Sequence, residues 1–249
     1  MLRALIWDVD GTIAETERNG HRIAFNRAFK KLGLAWEWNE AAYGRLLGVA
    51  GGKERLLSFM SSQPDAPRSL REREALAARL HPLKNAFYGE IAANGSLTAR
   101  PGVVRLMNQA REAGMAQGIA TTTTGQNVAK LLPSILGTGW RDYFSVILTA
   151  EHAARKKPHP QIYLHALNLL NLEAHQCLAI EDSSNGLYAA QRAGIPTLVT
   201  PGEYFQEDDF AAAALVCDDL DAHPACRSIE GLAQLTHAKG PRTALPASA

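Results

Sequence analysis

Apolar residues along this chain come in short unbroken runs, separated by longer stretches of helical spacing. The runs are Leu2–Trp7, Met115–Thr121, Phe144–Leu148, Cys177–Ile180 and Ile195–Val199, with a weaker one at Ala214–Cys217. Runs of this length without polar alternation fit strands buried on both faces of a parallel sheet. Between them, Val103, Met107 and Ala110 share one helical stripe, and Ile162, Ala166 and Leu170 share another. A third, on Leu187 and Ala190, stops at Gly194. Gly114 and Gly194 each fall between a helix and the next strand, where helix C-caps fall. Strand and helix alternating from residue 99 onward predict an open α/β sheet with helices on both faces.

Residues 16–97 break that rhythm and contain no convincing strand. His21, Ala24, Phe25, Ala28, Phe29 and Leu32 stand at helical spacing and end at Gly33. Leu76, Leu80, Leu83 and Phe87 make a second stripe, in which Pro82 predicts a kink or break. The expected organisation is a core of residues 1–15 and 98–238, interrupted by a helical insertion at 16–97. The aperiodic tail, 239–249, is expected to be disordered.

The 249 residues allow one large domain or one plus a smaller one. Lys and Arg number 26 against 25 Asp and Glu, a net charge of +1, which gives no global attraction to nucleic acid or an anionic membrane. No apolar run approaches the roughly 18–20 residues of a spanning helix, and the N-terminus lacks a signal-peptide core, so a cytoplasmic protein is expected. Cys177, Cys217 and Cys226 are odd in number and unclustered, which suggests neither a disulfide framework nor a zinc site.

Four local patterns carry candidate chemistry, each coming after a predicted strand. Asp8-Val9-Asp10-Gly11-Thr12 places two carboxylates one residue apart at the end of the first strand. Nearby carboxylates repel unless a cation or shared proton relieves them, although a solvated strand-end turn has the same composition. Thr121-Thr122-Thr123-Thr124-Gly125 offers hydroxyls and amides where the next helix starts, which suits a phosphate. In Lys156-Lys157-Pro158, Lys156 reads as a solvated loop residue. Glu181-Asp182-Ser183-Ser184-Asn185-Gly186 is a second acidic pair at the end of a buried strand, and such hard oxygen ligands suit Mg²⁺.

Taken together and in this order, the four patterns resemble the four motifs of the haloacid dehalogenase-like hydrolases, and the insertion resembles that superfamily's helical cap. The resemblance covers residues 1 to about 220 and implies a Rossmann-like parallel sheet core with an inserted α-helical cap domain, performing Mg²⁺-dependent phosphoryl transfer. By the match, Asp8 is the nucleophile and becomes an aspartyl phosphate. Asp10 is the general acid and base, for which a raised pKa is expected. Thr121 binds a phosphoryl oxygen, and Lys157 neutralises the phosphate and Asp8. The implied metal ligands are Asp8, the Asp10 carbonyl, Asp182 and Glu181, the last through a water. Trp7 stands where the family more often has Phe.

Within the superfamily, Glu15-Thr16-Glu17 with His21, the Ala24-Phe25-Asn26 stretch, and Tyr43 with the later Gly51–Arg55 loop resemble the CbbY-type subgroup of the β-phosphoglucomutase-like branch. That resemblance implies a sugar bisphosphate phosphatase. The subgroup's substrate is xylulose 1,5-bisphosphate, a misfire product that inhibits the Calvin-cycle enzyme Rubisco. The implied substrate contacts are Glu17, His21, Tyr43, Gly52, Lys53, Arg55 and Thr122. Lys53 and Arg55 sit in the first turn of a helix, where the dipole favours anions. Either a second phosphate resolves that conflict, or both cations are solvated and Glu54 satisfies the helix end. His81 and His159 have no evident partner. The rival readings are a phosphosugar mutase, which His21 keeps open, and a phosphoglycolate phosphatase. The expected partner is a small phosphorylated sugar bound by a monomer, with no nucleic acid and no membrane.

Overall fold

A computed structural model describes residues 1–236. Its centre is a six-stranded parallel sheet: β1 (Ala4–Trp7), β2 (Ala116–Ala120), β3 (Val146–Leu148), β4 (Cys177–Glu181), β5 (Thr197–Val199) and β6 (Leu215–Val216), in the order β3-β2-β1-β4-β5-β6. The side chains of β1 alternate between two apolar layers, with Leu5 and Trp7 on one side and Ala4 and Ile6 on the other. Both faces are covered by helices, which is why the strands read as unbroken apolar runs rather than alternating ones. The strands are shorter than those runs because Leu2, Met115, Phe144 and Ile195 pack as flanking residues outside the ladder.

The chain order reverses at β1, whose neighbours are β2 and β4. Ligands of open α/β sheets bind outside the strand ends at such a point. Register brings the ends together: Trp7 lies level with Ile119 on one side and Ile180 on the other. Asp8, Thr121 and Glu181, at or just past those ends, therefore surround one spot.

The α-helical cap is inserted after β1. A π-helical turn, Glu17–His21, runs into α1 (Arg22–Lys31), and then come α2 (Glu40–Leu46), α3 (Gly52–Ser61) and α4 (Leu70–Ala93). Phe25, Phe29, Trp36, Trp38, Tyr43 and Leu56 form a separate aromatic core for it. Ser69 starts α4 as a capping box with Glu72. Pro82 does not break α4, which continues through it for 24 residues. A proline inside a helix costs about 3 kcal/mol, but α4 packs on α1 and on α6 (Gly125–Leu136) of the core, and burial of Ala77, Leu80, Tyr88 and Ile91 outweighs that cost. The expected tail, 239–249, lies outside the described residues. No helix among the described residues is long and apolar enough to cross a membrane.

Candidate active site

β1 ends by delivering Asp8, which is buried. Gly11 then turns the chain back with a φ of +83°, and a Cβ there would overlap the Asp182 carboxylate, so only glycine lets the two acidic motifs approach. Lys157 Nζ donates to Asp8 Oδ1 at 2.6 Å and to Glu181 Oε1 at 2.7 Å. Tyr163, from α7 (Gln161–Leu170), donates to the same Glu181 oxygen and lies under the Lys157 ammonium. Burial works against the charge on Lys157, but Asp8 and Glu181 outweigh it and hold the ammonium above its ordinary value.

Three buried carboxylates face this single ammonium. Asp8, Glu181 and Asp182 each offer an oxygen within 4.8 Å of the others. Glu181 Oε2 and Asp182 Oδ2 are buried without a hydrogen-bond partner. Burial, opposed by Lys157, lifts the Asp8 carboxyl to about 7. Burial and the neighbouring Asp8 and Glu181 charges lift Asp182 well above the usual carboxylate range. Orphaned oxygens and an excess of two negative charges fit a hard divalent cation.

The Asp10 carboxylate turns the other way, toward the cap. Its Oδ1 accepts from Thr16 Oγ1 at 2.5 Å and from His21 Nε2 at 3.0 Å. His21 is stacked on Tyr88, with ring centroids 4.0 Å apart. Lys84 Nζ lies 2.8 Å from His21 Nδ1. An ammonium there can only donate, which leaves the Nε2–H for Asp10. The expectation of a raised Asp10 pKa is corrected: burial alone would raise it, but His21, Thr16 and Lys84 outweigh burial and hold the carboxyl well below its ordinary value.

A chamber of about 190 Å³ lies between cap and core. It opens into a smaller cavity floored by Asp8, Thr121, Lys157 and Asp182. Asp10, Glu17, Gly51, Arg55 and Thr122 line both. Thr123 and Thr124 line the larger chamber and also serve Asn127: Asn127 Nδ2 donates to the Thr123 hydroxyl, and Thr124 caps α6 through the Asn127 amide. Gly52 and Lys53 line the chamber, and Lys53 is exposed. Arg55 is not solvated. It is buried, donating to Tyr43 Oη at 3.0 Å and the Leu46 carbonyl at 3.2 Å, while Tyr43 donates to Glu17 at 2.5 Å.

Lys156 also departs from expectation. It is not a free loop residue but pairs with Glu54 of α3 at 2.7 Å, so Glu54 joins cap to core. His159 finds a partner in the Gln161 amide, and His81 lines the chamber. Sequence reasoning missed Lys84 and Tyr163. A lysine four residues after Leu80, on the apolar stripe of α4, was the available signal for Lys84. Nothing in the sequence distinguishes Tyr163 from a core tyrosine.

The sequence profile described as haloacid dehalogenase-like hydrolase matches residues 2–194. The plasmid-encoded protein CbbY of Cupriavidus necator is 47% identical over 235 residues, spanning 93% of this chain and 92% of its own. Protein CbbY of Rhodobacter capsulatus is 43% identical, over 89% of this chain and 95% of its own. The crystal structure of CbbY from Rhodobacter sphaeroides in complex with phosphate superposes with a TM-score of 0.85 at 37% identity, covering 93% of this chain and 99% of that one. A variant of the same protein in complex with xylulose 1,5-bisphosphate also gives 0.85, at 36% identity and the same coverage.

Proposed function

The chain belongs to the haloacid dehalogenase-like hydrolases and is a phosphatase, and we propose that it hydrolyses xylulose 1,5-bisphosphate to xylulose 5-phosphate with Mg²⁺. The observation that carries this reading is the pairing of two cavities: a small one holding Asp8 and Lys157, open to a larger one lined by Lys53, Lys84 and Lys156. A single phosphate needs only the first. The bisphosphate bound by the Rhodobacter sphaeroides relative supports the same reading.

In the first half-reaction an Asp8 oxygen attacks the phosphorus and the bond to the sugar oxygen breaks. Asp10 gives that oxygen its proton. In the second, water attacks the phosphorus of the aspartyl phosphate, Asp10 takes its proton, and Asp8 leaves as a carboxylate. An ionised Asp10, as held here by His21 and Thr16, is in the form the second half-reaction needs, and the proton it takes from water there is the one it gives to the sugar oxygen in the following turnover. Lys157 and the Thr121 hydroxyl balance charge on the phosphoryl oxygens. Asp8, Asp182, the Asp10 carbonyl and Glu181 would hold Mg²⁺, which supplies positive charge against the transferring phosphoryl group. The cap shields the intermediate and selects the sugar.

The contact between His21 and Asp10 favours one second reading, a phosphosugar mutase, in which the sugar rather than water collects the phosphoryl group. A phosphate-release panel with Mg²⁺ over sugar bisphosphates, sugar monophosphates and phosphoglycolate decides. Xylulose 1,5-bisphosphate is expected to give the highest kcat/KM with stoichiometric free phosphate. Isomerised sugar without phosphate release would establish the mutase. In Lys53→Ala the bisphosphate KM is expected to rise far more than the monophosphate KM; an equal rise removes the distal-phosphate assignment.

A further inference from the structure

We propose that Cys217 and Cys226 form a thiol–disulfide exchange site, whose oxidation by a low-molecular-weight disulfide staples the loop that clasps the chain where it returns from the cap to the core.

The two residues stand nine apart in the chain, one just after β6 and the other in a short 3-10 turn, Pro224–Arg227. They read as unclustered in the sequence, but folding puts their sulfurs 3.8 Å apart. A disulfide needs about 2.05 Å, so each sulfur has only about 1 Å to move. The main chain holds both in place: the Cys217 amide donates to the Val199 carbonyl and the Cys226 amide to the His223 carbonyl, each at 3.0 Å. Cys226 is buried and Cys217 half-buried, so a reagent arriving from solvent meets Cys217 first. The hydrogen bond with Cys217, and after it the Arg105 charge, draw the Cys226 thiol below its ordinary value against burial. Ionisation of a thiol is what exchange requires. Cys177 lies in the apolar layer on the other face of the sheet, and burial pushes its thiol up to about 11.

The loop between the two cysteines holds the end of the cap linker. Arg100 donates to the Asp218 carbonyl at 2.9 Å, and also to the carbonyls of Gly11 and Thr200. Arg105, on α5 (Val103–Glu112), donates to the Leu220 carbonyl at 2.9 Å and pairs with Asp221 at 2.8 Å. Between them Gly102, with a φ of +78°, lies so close that a Cβ would stand 2.7 Å from that of Leu220. Residues 218–221 therefore sit against residues 100–105, by which the chain re-enters the core. A bond between Cys217 and Cys226 closes this clasp covalently.

The exchange has two steps. The Cys217 thiolate attacks one sulfur of the reagent, whose S–S bond breaks, and one reagent thiolate leaves and takes up a proton. The Cys226 thiolate then attacks the Cys217 sulfur of the mixed disulfide, and the second reagent thiolate leaves in the same way. The cysteines give up two electrons and two protons, and the two reagent thiols receive them.

The test equilibrates the folded full chain with glutathione buffers from fully reduced to fully oxidised, blocks free thiols by alkylation and maps the peptides. The oxidised chain is expected to lose two hydrogen atoms in a peptide pair joining Cys217 to Cys226, with Cys177 still free, and dithiothreitol is expected to reverse this. The oxidised form is expected to melt about 5 °C above the reduced form. That difference should vanish in Cys226→Ala and in Cys217→Ser, the second carrying the comparison if the first fails to fold. Free thiols throughout, a glutathione adduct on Cys217 without the internal link, or a link formed only in denaturant overturns the site. A link that leaves Tm unchanged or lower overturns the staple.

Discussion

Glu54, in the first turn of a cap helix, and Lys156, the core residue before Lys157, meet at 2.7 Å across the mouth of the chamber. Both side chains keep water contact, at 46% and 22% exposure, so the pair adds at most about 1 kcal/mol. Its significance is positional, because it joins cap to core where both side chains line the chamber. Gly51 makes it possible: φ is +95°, and a Cβ would overlap both the Glu54 carboxylate and the Lys156 ammonium. Gly51→Ala is expected to cost about 1–3 kcal/mol in chemical denaturation and to lower kcat/KM on the phosphorylated sugar. Unchanged stability and kinetics would show that the loop relaxes freely.

The acidic cluster predicts a metal-dependent melting temperature. Ligand at a hundred times its Kd stabilises the folded state by about 2.7 kcal/mol. Millimolar Mg²⁺ is expected to raise the Tm of the wild type measured in EDTA. The rise should be much smaller in Asp182→Asn, which loses one of the three clustered carboxylates. Equal shifts in both proteins would place the metal elsewhere.

Asp8→Asn removes the proposed nucleophile while keeping the shape of the side chain. Turnover is expected to fall by roughly a thousandfold or more, with near-wild-type circular dichroism and Tm. Lys157 retains Glu181 as its partner in that variant. Residual activity close to wild type would exclude Asp8 as the attacking group.

Lys84 predicts an alkaline limb. Burial pulls its ammonium down to about 8, against the support of Asp10 and Glu17. The group is charged below that value and loses its charge as pH rises through it. With the charge goes the charge assistance to the Lys84–His21 hydrogen bond and part of the chamber's attraction for anions. kcat/KM is therefore expected to fall above about pH 8 in wild type. In Lys84→Arg, which stays protonated, the plateau is lower but the limb is absent. An identical limb in both proteins would assign it to another group.

Much of the site is legible in the sequence because parallel-sheet geometry turns chain position into spatial position. A buried apolar run announces a strand, and the residue after it stands at the ligand-binding edge. Asp8, Thr121 and Glu181 can be read that way, and the structure puts them together. Lys84 is harder to read, since it sits on a helix among apolar residues and acquires meaning only from His21, 63 residues away. Tyr163 likewise matters only because α7 aims it at Glu181. The ionisation of Asp10 escapes a sequence reading for the same reason. Its local neighbours suggest repulsion from Asp8, whereas His21, Thr16 and Lys84 supply the deciding charges and hydrogen bonds.

The parallel α/β core, the helical insertion and the order of acidic, hydroxyl and basic motifs are properties of the sequence, because they depend on local periodicity and on the residue types placed after each strand. Three other features exist only in the folded chain: Arg55 is consumed by Tyr43 and Leu46, Lys156 is paired with Glu54, and His81 lines the chamber without a hydrogen-bond partner among the described residues. A side chain's residue type states which bonds it can make. Which of them are already made depends on groups that folding brings in from distant segments, and the free ones are what a substrate meets.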